Sequence, residues 1–122
     1  MIKMGSYEFG GWATVYDVRC TDGRTILQNA FLGDDGRKVP IVWNHQHNQP
    51  ENVLGHGVLE NRKEGVYVKG YLNNTENGKL AKKFIEKGDI TSLSIYANQL
   101  KEQSGLVQHG IIREVSLVLS GA

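Results

Sequence analysis

The chain has 122 residues, a length suited to a single domain spanning 1–122 with a core of its own. It is 39% hydrophobic and 22% charged, with a formal net charge of +1 and no stripe of Lys and Arg, which argues against a nucleic-acid partner. No apolar run approaches the roughly 20 residues of a membrane span, and Met1-Ile2-Lys3-Met4-Gly5 has no signal-peptide core, so a soluble protein without export or membrane contact is expected.

The first strand expected is Gly11 to Asp17, where Trp12, Thr14 and Tyr16 alternate with Ala13 and Val15. Arg19 to Lys38 is rich in Gly and Asp and reads as loop with one helical turn; it holds the sole cysteine, Cys20, in a turn-like setting. With one thiol no intrachain disulfide can form, and Cys20 is read as incidental rather than nucleophilic. Val39 to Trp43 is a short apolar strand leading into the polar stretch Asn44 to Asn52. Gly57 to Glu60 and Val66 to Leu72 form a hairpin around Asn61 to Gly65, with Val66, Val68 and Leu72 on one face and Tyr67, Lys69 and Tyr71 on the other. A helix follows, with Thr75 as N-cap, an apolar stripe of Leu80, Ala81, Phe84 and Ile85, and Gly88 as the left-handed C-terminal residue. Ser92 to Leu100 and Ile111 to Leu119 are strands that pair around Gln103-Ser104-Gly105. The expected architecture is mainly β with one or two helices, a small and mostly antiparallel barrel, closed or nearly closed.

Chemistry-bearing side chains gather in a few segments. Trp43-Asn44-His45-Gln46-His47 places histidines at a strand end. Alternation puts Ser92, Ser94 and Tyr96 on one face of their strand. In the last strand Val115, Leu117 and Leu119 go together, so Glu114 projects with Ile112, Ser116 and Val118. A serine, a histidine and an acid can act as nucleophile, base and orienting group, because a hydroxyl attacks only when imidazole takes its proton and the imidazole needs a partner to fix its tautomer. The competing constellation is a metal site from His45, His47, His56 and His109, but no cysteine pair or His-Glu-x-x-His accompanies them, and no metal or other cofactor is expected. Gly-x-Ser-x-Gly is absent.

Taken in order, these segments resemble the prohead protease family of tailed phages, distant relatives of the herpesvirus assemblin serine proteases. Phe9-Gly10-Gly11-Trp12-Ala13-Thr14-Val15 is similar to that family's opening strand, and Ala30-Phe31 to the end of its Pro-Gly-Ala-Phe-like segment. Val39-Pro40-Ile41-Val42-Trp43-Asn44-His45 resembles the motif of the catalytic histidine, with Leu54-Gly55 as the glycine step after it. Gly88-Asp89-Ile90 with Leu93-Ser94-Ile95 resembles the nucleophile segment, and Arg113-Glu114-Val115-Ser116-Leu117-Val118 the closing strand. Gln28-Asn29 and Tyr96 depart from the family, which often has Pro-Gly and a glycine there.

The resemblance implies a catalytic domain over 1–122, with Ser94 as nucleophile, His45 as base and Glu114 as the third member. His109 is the runner-up, because assemblins use a second histidine. Backbone N–H groups, helped by Arg113, are expected to stabilise the oxyanion. The implied activity is that of a serine endopeptidase, which cleaves the scaffolding segment of the phage major capsid protein, and itself, within the immature prohead in the host cytoplasm. Homodimerisation or another assembly trigger is expected to restrict it. A protease-like fold kept as a scaffold-binding or capsid-assembly module is the alternative. The end at Ser120-Gly121-Ala122 falls where relatives continue, and is read as a trimmed boundary rather than a self-cleavage product.

Overall fold

In the computed structural model, which describes residues 2–4, 8–46 and 48–118, the chain runs β1 (Lys3–Met4), β2 (Glu8–Val15), β3 (Thr25–Ile26), β4 (Lys38–Trp43), β5 (Val53–Arg62), β6 (Gly65–Leu72), α1 (Glu76–Glu86), β7 (Ser92–Gln103) and β8 (Leu106–Val118). Short 3-10 turns occupy Leu32–Asp34 and Pro50–Asn52. The expectations for Met1, Gly5, His47, Leu119 and Ser120-Gly121-Ala122 concern residues outside those described.

Local chemistry accounts for most of these elements. Ser104 and Gly105 both have positive φ, at 53° and 80°, and close the β7–β8 hairpin as a two-residue turn of the kind that matches strand twist. The β5–β6 hairpin is longer than the sequence suggests, with Arg62 opposite Gly65, and its Val66, Val68 and Leu72 are buried as expected. At Gly55 an added Cβ would meet the Tyr71 carbonyl oxygen at 1.9 Å, so only glycine lets β5 lie this close to β6. In α1 the Thr75 hydroxyl accepts the Gly78 N–H at 3.1 Å, and Gly88, with φ of 77°, follows the helix end. Ala81 and Ile85 are buried and Phe84 partly so. Leu80 is 48% exposed, contrary to the expected stripe, and Gly78 takes the buried place one turn position earlier.

The strands join in the order β1-β2-β6-β5-β4-β8-β3, with β7 on the other part of β8. Most pairings are antiparallel, but β8 runs parallel to both β3 and β4. The mixed sheet curls strongly into a half-barrel. Among the described residues no ladder joins β7 to β2, so the barrel is not shut. Its concave side is filled by Phe9, Phe31, Ile41, Leu59, Ile112, Val115 and Leu117, each at most 1% exposed.

Strand β8 departs from simple alternation. Tyr96 pairs with Glu114 but Ala97 with Ile112, so β8 carries an extra residue at Arg113, a bulge. Ile112 therefore enters the core with Val115 and Leu117 instead of sharing Glu114's face, which corrects the parity drawn from the sequence. The bulge is braced from outside the sheet. Buried Asp34 accepts the Ile112 N–H at 2.9 Å and pairs with Arg37, whose other nitrogen donates to the Ile112 carbonyl at 2.9 Å. The two side chains thus engage both backbone groups of one residue, as a neighbouring strand would. Replacing Asp34 with alanine leaves a buried N–H without this acceptor and Arg37 without its counter-charge. We expect Asp34→Ala to lower stability by about 2–4 kcal/mol, seen as a lower urea midpoint at unchanged slope.

Candidate active site

Strand β8 lies between β4 and β7, and this order brings distant segments together. Val42 pairs with Ser116 on one side, and Ser94 pairs with Ser116 on the other. Directly paired residues project from the same face of a sheet. Ser94, Ser116 and, one pair further, Glu114 therefore share a face, while His45 arrives from the end of β4.

The chain leaves β4 through two consecutive left-handed residues, Asn44 at φ 45° and His45 at φ 61°. Asparagine accepts this region readily; histidine does so less often. The Asn44 N–H continues the β4–β8 pairing to the Leu117 carbonyl at 3.0 Å, and the His45 N–H then turns to the Ser116 hydroxyl oxygen at 2.8 Å. The left-handed turn carries the imidazole back over β8. Its Nδ1 lies 2.8 Å from Glu114 Oε1 and its Nε2 3.2 Å from Ser94 Oγ.

Roles within this chain of contacts follow from what each group can donate. A carboxylate only accepts, so Nδ1 carries the proton toward Glu114, and the Nε2 lone pair faces the Ser94 hydroxyl. The Ser116 hydroxyl donates to Glu114, 3.2 Å from each carboxylate oxygen, and lies 3.1 Å from Nδ1. Glu114 has a side chain only 2% exposed, whereas the His45 ring is 40% exposed. The acid is dry and the imidazole is open on its Ser94 side.

A cavity of about 520 Å³ opens beside Ser94, lined by Trp12, Thr14 and Val15 of β2 and by Leu93 and Ile95 of β7. Tyr96, where a glycine was looked for, is 43% exposed. Arg113 points away from the core at the bulge, and its Nε donates to Asn98 at 2.8 Å. His109 pairs with Lys101, seven residues along β8 from Ser116, or roughly 20 Å at the usual strand rise. His56 stacks on Tyr71 with ring centroids 5.2 Å apart. Among the described residues no three of His, Cys, Asp and Glu gather where they could hold a metal ion. Cys20 is partly exposed and its thiol lies 4.0 Å from the Val18 carbonyl.

Ser116 escaped notice as a site residue. Its face was legible, but the parallel pairing that sets it under the His45 backbone was not. Asn44, an asparagine between a strand and a histidine, was the available sign of a left-handed turn.

Known proteins bear on this arrangement. A family described as caudovirus prohead serine protease matches residues 3–118. The fold is similar to that of KSHV protease, solved in complex with a hexapeptide phosphonate inhibitor, with a TM-score of 0.65 at 16% identity over 93% of this chain. The chain spans 60% of the length of that protease. No curated protein sequence matches it.

The contacts fix one tautomer. In ¹⁵N NMR, at a pH where the His45 ring is neutral, we expect Nδ1 to be protonated and Nε2 bare. Glu114→Gln should shift the ring toward a tautomer mixture; an Nε2–H ring in the unaltered protein would contradict the geometry.

Proposed function

The chain belongs to the caudovirus prohead serine proteases, and we propose on that premise that it is a serine endopeptidase acting through Ser94, His45 and Glu114. The observation that carries this reading is the unbroken line of contacts from Glu114 through both ring nitrogens of His45 to Ser94 Oγ. Ser94 Oγ attacks the scissile carbonyl carbon while Nε2 takes its proton, giving a tetrahedral oxyanion and an imidazolium. Glu114 stabilises that cation and holds the ring in place. The imidazolium then protonates the leaving amine as the carbon–nitrogen bond breaks, leaving an acyl-Ser94 ester. Water, deprotonated by the same nitrogen, attacks the ester carbonyl, and collapse of the second intermediate returns the proton to Ser94.

The cavity that Ser94 borders supports a peptide substrate, since Trp12 and Val15 of β2 and Leu93 and Ile95 of β7 give it apolar walls. Backbone N–H groups serve as oxyanion donors in this proposal. With its Nε committed to Asn98, Arg113 offers only its terminal N–H groups to that task. Family membership supports the scaffolding segment of the major capsid protein as substrate, with self-cleavage, inside the immature head. Within that setting, 1–122 is proposed as one catalytic domain, with self-association as a trigger that limits activity to the assembling shell. No helix among the described residues is long and apolar enough to cross a membrane.

The test is cleavage of the purified scaffolding segment, followed by mass spectrometry. Ser94→Ala and His45→Ala are each expected to lower the rate by about 10⁴-fold or more, and Glu114→Gln by about 10³–10⁴-fold. A peptidyl phosphonate should label Ser94 in the unaltered protein and fail in Ser94→Ala. If Ser94→Ala cleaves at full rate, the assignment is wrong; if no form cleaves but all bind the segment, the protein is a binding module.

A further inference from the structure

Ser116 does more than fill space. It is fully buried, and its hydroxyl meets two groups of the site at once: it accepts the His45 backbone N–H at 2.8 Å and donates to Glu114. It also sits at a β8 position paired on both sides, with Val42 of β4 and Ser94 of β7. We propose that Ser116 is a positioning residue that locks the left-handed Asn44-His45 turn over β8 and orients the Glu114 carboxylate. The inference rests on the triad reading above.

The physical case lies in the backbone. Two successive non-glycine residues at positive φ are held only where the surroundings favour that conformation over the extended one. At Asn44 the strand ladder supplies the hold, through the Leu117 carbonyl. At His45 the ladder has ended, and the N–H finds its acceptor in a side chain. Relaxation of φ at His45 would swing the imidazole away from both Glu114 and Ser94, because the ring's direction is set by this turn. One hydroxyl thus fixes the backbone of the base and, through its own proton, the rotamer of the acid. Its proton has an acceptor in Glu114, so the oxygen lone pairs remain free to face His45.

Because Ser116 touches no substrate, its loss should act on turnover and not on substrate binding. We expect Ser116→Ala to lower kcat about 10–100-fold with KM within about twofold of the unaltered enzyme, and Ser116→Thr, which keeps the hydroxyl, to recover most of kcat. A residue that merely packs would give the reverse order, since alanine fits the space and threonine overfills it. Ser116→Cys, near in volume but a poor acceptor, gives the same comparison if either of the others does not fold; a Cys variant with unaltered kcat overturns the proposal. Amide hydrogen exchange at His45, read by NMR in a Ser94→Ala background, is independent of activity. It should quicken at least 10-fold with Ser116→Ala while Val42 stays protected, and unchanged protection at His45 would also overturn it. Ser94→Ala measured alongside separates the two failures: activity there removes the triad, whereas an inactive Ser94→Ala beside a fully active Ser116→Ala removes only the role of Ser116.

Discussion

The double pairing of β8, parallel to β4 and antiparallel to β7, is the constraint from which the rest follows. A strand flanked on both sides has its register fixed twice, and a slip of one residue would turn every side chain to the wrong face. Ile41, Val115 and Leu117 are each at most 1% exposed, so the hydrophobic core itself resists such a slip. The same register sets Ser94 opposite Ser116 and leaves the end of β4 above them. Core packing and site geometry are thus two consequences of one alignment.

That alignment has to solve a conflict. Strict alternation along β8 would put Ile112 on the face of Glu114, away from Val115 and Leu117. The bulge at Arg113 inserts one residue, so that Ile112 and Val115 both enter the core while Glu114 keeps its outward direction. On the edge of β8 away from β7, Ile112 lies between the stretches paired with β3 and β4, and Asp34 with Arg37 supplies its backbone groups with partners. Among the described residues the buried polar and charged side chains, Asp34, Glu114 and Ser116, all lie on β8 or bond to it. Buried charge is tolerated only where partners are present, which is why these side chains sit in bonded groups and no buried side-chain nitrogen or oxygen among the described residues lacks a partner.

How much of this was legible depends on the range of the interaction. Ser94 could be placed because period-two alternation is local: Leu93 and Ile95 seek the core, so Ser94 must not. The helix cap, the turn at Ser104-Gly105 and the apolar face of β6 were legible for the same reason. Glu114 was set on the correct side although Ile112 was not, because a bulge has no reliable local signature; it arises from register with β7. The curl stops at a half-barrel where a nearly closed form was expected, since edge pairing between β2 and β7 is a property of the whole sheet. Leu80 departs from the expected stripe because Gly78 lets the start of α1 approach Asn73, and the buried stripe runs through Gly78, Ala81 and Ile85 instead. The parallel β4–β8 pairing was beyond reach, since its partners lie more than 70 residues apart, as Val42 and Ser116 do. What motif order could add was family resemblance, which grouped segments that spacing alone could not.

The exposure of the site residues also falls in a useful order. Glu114 is dry, His45 is half open, and Ser94 borders a cavity. An ion pair between carboxylate and imidazolium is stronger where water is excluded, so the acid end holds its partner firmly. The nucleophile proposed at Ser94 must instead meet a substrate arriving from solvent, and a buried serine could not. The imidazole spans the two environments, and its ring can do so only if its backbone is held while its face stays uncovered. Packing side chains over the ring would hold it at the cost of closing that face. Gripping the backbone from below, through a hydroxyl on the central strand, holds the ring and leaves the approach to Ser94 clear.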